Sequence, residues 1–256
     1  VLLKTLDSYL FNEKWLIIQP FSNSSYLIDQ AMAIWVLATY KLLTGNIWVS
    51  GYHFESLIQG LLDSVSELFF NSTTNILYQE YDHSINESRN YAEVEDLIFF
   101  TVALSKAERL YTNFEKSSYN VHQQIINDFV DDEWFVHAIN ASDEEVYIKN
   151  QALFTLVSYL MNLGNVGIEV QNKITESFSM NKGFIEKVGE EDITCQSCLY
   201  GLVALASKNW SVIENQREIY TASTSASYPV IISVTLIMIV LVNKVLRKKV
   251  VVKRRW

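Results

Sequence analysis

Four polar signatures recur along this 256-residue chain, each at the head of an apolar stretch: Asp29-Gln30-Ala31, Glu95-Asp96-Leu97, Asn150-Gln151-Ala152, and Thr194-Cys195-Gln196 ahead of Ser197-Cys198. Carboxylates brought together in pairs can act as acid and base, or acid and nucleophile, in glycoside hydrolysis when their separation suits the mechanism. Asp29, Glu95 and Asp96 are therefore the catalytic candidates. The same residue types in a first helical turn also accept hydrogen bonds from exposed N–H groups and sit well at the positive end of the helix dipole, so capping is their plainer role. Geometry separates the two. Carboxyl groups facing each other across a cleft at roughly 5 to 10 Å would mark hydrolysis, and carboxyl groups folded onto their own helices would mark caps.

Other reactive types are sparse. Cys195-Gln-Ser-Cys198 has the spacing of a redox dithiol, but no second pair completes a zinc site. A local disulfide or two small core residues is the preferred reading, with redox chemistry behind it. His53, His83, His122 and His137 lie far apart with no His-Glu-x-x-His pattern, so no metal site is expected. Phosphate loops, dinucleotide fingerprints and nucleophile elbows are also missing, and no cofactor is expected.

The elements that must carry these residues are helices. A 3.6-residue apolar period predicts helices over Leu27–Leu43, Phe54–Phe70, Ala92–Thr112, Val121–Val130, Val146–Leu163, Gly167–Met180, Ile193–Ser207 and Val212–Thr221. They alternate in character. One class is apolar nearly all round, as in Ala31-Met-Ala-Ile-Trp-Val-Leu-Ala-Thr-Tyr40 and Leu97-Ile-Phe-Phe-Thr-Val-Ala-Leu104, and belongs inside. The other is amphipathic, as in Phe54 to Phe70, and belongs to an outer layer with one wet face. Aromatic and acidic segments follow the outer helices: Leu77 to Asp82, Glu133 to Val136 and Gly183 to Glu186, with Asn12 to Ile17 preceding the first inner helix. These read as small β-hairpins or extended linkers. The polar signatures recur at roughly 66, 55 and 45 residues, with the variation falling in the connectors.

Buried helix, outer helix, aromatic linker and polar helix start, in that order, resemble the α/α-toroid, or six-hairpin, superfamily. Leu27 to Asn46, with its Thr44-Gly45 turn, is the closest stretch. The resemblance implies an all-α fold: a toroid or open arc of about four helix pairs, with a possible partial pair at Val1 to Leu10. It also implies inner helices around a central cavity, as in glycoside hydrolases, polysaccharide lyases and sugar epimerases. In such a ring the helix starts converge on one rim, where Asp29, Glu95 and Asp96 would meet the polar candidates Gln30, Asn150, Gln151 and Gln196. Tyr91, with Tyr26, Tyr147, Trp35 and Trp134, would offer surfaces to a sugar face, and Glu80, Asp82 and His83 polar contacts from a loop. Aromatics at helical spacing are more often core.

Charge divides the chain. Seven of the 20 Lys and Arg residues follow Val242 and no acid follows Tyr228, so 13 bases face 29 acids in the rest, which carries −16. So acidic a body repels phosphate backbones, which excludes nucleic acid as its partner. Ahead of the basic block, Ser225 to Leu246 would form a helix about 33 Å long, enough to cross a hydrocarbon layer. The expected organisation is an extracytoplasmic helical domain over 1–222, a transmembrane helix over 225–246 and a basic cytoplasmic tail over 247–256, the basic residues setting the orientation. A chain beginning at Val1 reads as processed or truncated, as after removal of a signal peptide. Asn23, Asn71, Asn86, Asn140 and Asn209 stand in glycosylation sequons, which suits an outer surface. The function expected is a single-pass, non-catalytic accessory or interaction subunit of a membrane or cell-envelope complex, with the lipid bilayer, protein subunits and a glycan as partners. The alternative is a membrane-tethered carbohydrate-active enzyme, hydrolase- or lyase-like, using rim carboxylates.

Overall fold

The structure is a computed structural model and describes residues 10–11, 16–18, 23–49, 51–110, 112–142, 146–181, 183–189, 191 and 193–221. Val1–Glu218 form one compact unit and Ile219–Trp256 a second, of which the part through Thr221 is described. The expected span over 225–246, the basic tail and the partial pair at Val1 to Leu10 lie outside the described residues, apart from Leu10 itself. Among the described residues no helix is long and apolar enough to cross a membrane.

Among the described residues seven helices follow in chain order: α1 Leu27–Thr44, α2 Phe54–Leu68, α3 Val94–Glu108, α4 Ser118–Phe129, α5 Ile148–Leu160, α6 Gly164–Lys173 and α7 Cys195–Thr221. A π-helical turn, Ile174–Phe178, extends α6. The two apolarity classes predict the layers correctly. α1, α3 and α5 pack side by side, and the amphipathic α2, α4 and α6 each back onto the preceding inner helix. Trp35 of α1 meets Phe99 of α3 with ring centroids 6.2 Å apart, so both belong to the inner-helix interface. The continuous core runs from Leu27 and Ile34 through Phe54, Leu61 and Phe100 to Phe154, all almost fully removed from water. Burial of each such side chain contributes roughly 1.5–3 kcal/mol before entropy is counted. The first inner helix ends where the sequence supplies a stop. Gly45 takes a left-handed φ of 66° after α1, and its N–H donates to the Lys41 carbonyl at 2.9 Å, closing the last turn.

Two expectations are corrected. The helices expected over Ile193–Ser207 and Val212–Thr221 are one helix, α7, because neither Gly nor Pro interrupts Lys208-Asn-Trp-Ser211. The described arc therefore holds three helix pairs and α7, where about four pairs were expected. The fold is mostly helical, and its connectors carry the short hairpins expected of the aromatic linkers. Small strands fill the connectors: β1 Leu10–Phe11, β2 Leu16–Ile17, β3 Ser24–Tyr26, β4 Trp48–Val49, β5 Tyr52–His53, β6 Phe70–Asn71, β7 Ile76–Asp82, β8 Glu87–Tyr91, β9 Ser179–Met180 and β10 Gly183–Phe184. The aromatic linker Leu77–Asp82 lies within β7, the antiparallel partner of β3, β6 and β8 in a four-stranded sheet, with Ser25 opposite Tyr81 and Glu80 opposite Arg89. Successive side chains of this strand point to opposite faces, with Leu77 and Tyr81 buried on one and Ile76, Tyr78 and Glu80 half-buried on the other.

Candidate functional site

The first turns of α3, α5 and α7 meet at one cavity of about 230 Å³. Its lining comprises Val94 and Glu95 of α3 with the preceding cap residue Glu93, Ile148 to Asn150 of α5 with the preceding cap residue Tyr147, Gln196 and Tyr200 from α7, and Ala138 and Glu186 from the connectors. Helical register explains the selection. The second residue of each of these helices, Glu95, Lys149 and Gln196, lines the cavity. Across it the Lys149 ammonium pairs with the Glu95 carboxylate, both half-buried. On the linker side, the Glu186 carboxylate lies 3.5 Å from the Thr194 hydroxyl. Burial pushes the Tyr200 phenol above its ordinary pKa, opposed by Lys149 and reinforced by Glu95, so it is a neutral hydrogen-bonding group at the wall. The cavity thus offers carboxylates, an ammonium, amides and phenols to a polar ligand.

The sequence candidates divide. Glu95, Asn150 and Gln196 are brought together here, with Tyr147. Asp96 is not. Buried at 4% exposure, it accepts from the Glu93 N–H at 3.0 Å and from the Gln79 amide at 3.1 Å, in a reciprocal capping box with Glu93. Burial pushes its carboxyl up to about 6. Asp29, half-buried in the first turn of α1, lies outside this lining.

Gln30 and Gln151, expected at the rim, turn away from it. Gln30 is fully buried, accepts from the Ile17 N–H at 2.9 Å and donates to the Ile17 carbonyl at 2.7 Å. Gln151 repeats this at Val136, at 3.0 and 2.7 Å. Each is the fourth residue of its helix and satisfies both backbone groups of a linker residue, the amide completing the pairing that a neighbouring strand would otherwise supply. Tyr91 is 69% exposed, stacks on Tyr78 with centroids 6.0 Å apart, and takes no part in the cavity. Trp35 and Trp134 pack against the core. His83 bonds Ser25 through Nε2 at 2.9 Å, on the sheet. Cys195 and Cys198 are free thiols, so the structure holds no local disulfide. Of the sequon asparagines, Asn23, Asn86, Asn140 and Asn209 are exposed and Asn71 is half-buried.

Sequence reading missed Lys149, Glu186 and Tyr200. A signal existed for Lys149: a base in a first helical turn opposes the dipole, so its presence asks for a partner. Glu186 sits in a linker already recognised as aromatic and acidic. Tyr200 stands one turn beyond Gln196, on the same face.

No protein-family model and no curated protein matches the chain. Solved structures do. The cellobiose 2-epimerase of Bacillus thermoamylovorans superposes with a TM-score of 0.63 at 11% identity, over 85% of this chain and 65% of that one. A family 105 glycoside hydrolase from C. acetobutylicum gives 0.54 at 11% identity, over 82% and 71%. A sugar epimerase from a ruminal bacterium gives 0.56 at 7% identity, over 89% and 73%. This chain thus spans less than two thirds of the cellobiose epimerase. The shared fold is the α/α-toroid, or six-hairpin glycosidase-like, fold.

Proposed function

We propose that the chain is a carbohydrate-active domain that holds a single sugar unit in the cavity at the starts of α3, α5 and α7. One observation carries this reading: three helix starts place Glu95, Lys149, Asn150 and Gln196 around one cavity in a fold whose solved examples include a cellobiose 2-epimerase and a glycoside hydrolase. A volume near 230 Å³ lies below the roughly 300–1,000 Å³ of drug-sized sites, which suits one ring over an oligosaccharide. Glu95 and Glu186 are the acid–base pair in this proposal. Lys149 would hold the Glu95 carboxylate in place through their ion pair, and the neutral Tyr200 phenol, with the amides of Asn150 and Gln196, would orient hydroxyl groups. Carboxylates outnumber the ammonium in the lining, which favours neutral or amino sugars over uronic acids.

The tail belongs to the same proposal. The uncharged run from Tyr228 to Val242, followed by Lys and Arg, supports a membrane anchor with the domain outside and the basic end in the cytoplasm, and the exposed sequons suit that placement. A non-catalytic subunit that binds a glycan is the second reading. It is favoured by Glu95 being already paired with Lys149 and Asp96 already acting as a cap.

The test is a panel of neutral, amino and acidic mono- and disaccharides assayed for binding by calorimetry and for turnover, using the full chain in detergent. Turnover that E95Q and E186Q each reduce at least about a hundredfold, with binding retained, establishes the enzyme reading. Binding without turnover supports the second reading, and no binding by any sugar removes both. Protease added outside intact cells should leave the Lys253-Arg254-Arg255 end uncut if the anchor is oriented as proposed.

A further inference from the structure

Cys195 and Cys198 are used by neither the core nor the proposed sugar site, and their placement is specific. They are the first and fourth residues of α7, and both are free thiols, Cys195 exposed and Cys198 half-buried. On helical geometry, residues three apart have Cα atoms about 5 Å from each other, inside the roughly 4.4–6.8 Å that a disulfide spans. The turn they bracket is tied down independently of them. The Thr194 N–H donates to the Ser197 hydroxyl at 3.0 Å, the Ser197 N–H donates to the Thr194 hydroxyl at 2.9 Å, and the Ser197 hydroxyl also bonds the Phe184 carbonyl. The Cys198 N–H closes the turn on the Thr194 carbonyl at 3.1 Å. The helix start therefore does not depend on either sulfur.

The Cys198 sulfur lies against the backbone of Gly183 in β10, where a side-chain carbon would come within 2.6 Å of it. It is reached by a neighbouring thiol more readily than by a bulky reagent. An outer, accessible sulfur and an inner, shielded one are what a two-step exchange requires.

We propose that Cys195 and Cys198 form a reversible disulfide by thiol–disulfide exchange with an external disulfide, either a small one such as glutathione disulfide or one on a protein. The Cys195 thiolate attacks one sulfur of RSSR, forming a Cys195–S–S–R bond and expelling RS⁻. The Cys198 thiolate then attacks the Cys195 sulfur, closing the intramolecular bond and expelling the second RS⁻. The two protons given up by the cysteines leave on the two RSH products. The pair loses two electrons and RSSR gains them. Gln196, between the two cysteines in sequence, and Tyr200, one turn beyond it, both line the cavity.

The experiment places the reduced full chain in glutathione buffers of graded oxidation, followed by acid quench, maleimide labelling and intact mass. Loss of both labels in one step, with two hydrogens removed and no adduct accumulating, is the expected result. C198S should accumulate one glutathione on Cys195, and C195S should react at least about tenfold more slowly. Amide exchange across residues 196–201 should slow on oxidation. Two glutathiones taken up independently, disulfides between chains, or equal reactivity of the two single variants would each overturn the proposal. Because no sugar enters the experiment, its failure leaves the reading of the cavity untouched.

Discussion

The start of α1 and the starts of α3, α5 and α7 are built alike and behave differently. At the second helical position α1 carries Ile28, whereas the other three carry Glu95, Lys149 and Gln196. At the fourth position, α1 and α5 both carry a glutamine that clamps a linker backbone. Identical polar residue types thus divide by register into cavity wall and internal brace. A polar side chain at a helix start is a binding candidate only when no neighbouring backbone group already claims it, because a buried unpaired N–H or C=O costs more than a lost surface contact gains.

Breaking a brace should have the largest effect. Q151L leaves the Val136 N–H and C=O without partners in a residue that is fully buried. Urea denaturation should show a loss of about 2–6 kcal/mol, about one to three for each of the two stranded groups. Q30L, at Ile17, should behave likewise. If either variant kept wild-type stability, the distinction between brace and wall would fail.

The cap at Asp96 sharpens the comparison through pH. Its carboxyl is raised to about 6 by burial, above the usual value near 4, so the folded state holds the proton more tightly than the unfolded chain. That contribution is complete below about pH 4 and lost as pH rises through about 6. D96N cannot ionise. Relative to wild type, it should gain up to about 3 kcal/mol between pH 3.5 and pH 8 in paired denaturation curves. An unchanged pH profile would mean that Asp96 is not the group responsible.

At the wall itself, Q196A should change stability by less than about 0.5 kcal/mol while weakening sugar binding by about five- to tenfold, measured by calorimetry. Smallest of all is Y91A. With a ring exposed and outside the cavity, it should leave both stability and sugar affinity within error, and a loss of affinity would relocate the site to the sheet.

Much of this arrangement was legible beforehand. The inner and outer helices follow from apolar periodicity, and the layers from which faces are apolar. Glu95, Asn150 and Gln196, singled out by type and position, line the cavity. Asp29, Asp96, Gln30, Gln151 and Tyr91 meet the same criterion and lie outside it. Lys149 and Glu186 were passed over because their significance rests on partners outside their own element: the Lys149 pair joins residues 54 positions apart. Apolar periodicity splits α7 in two at the polar Lys208-Asn-Trp-Ser211, although that stretch contains neither Gly nor Pro and the helix runs through it.

By itself, then, the sequence determined the helices, their order and the two layers, since these depend on local periodicity and on the removal of apolar faces from water. Only the tertiary structure decided which polar helix-start residues line the cavity and which brace a linker. That choice turns on a rotation of about 100° per residue about the helix axis and on which distant backbone groups need a partner, and neither is encoded within a single helix.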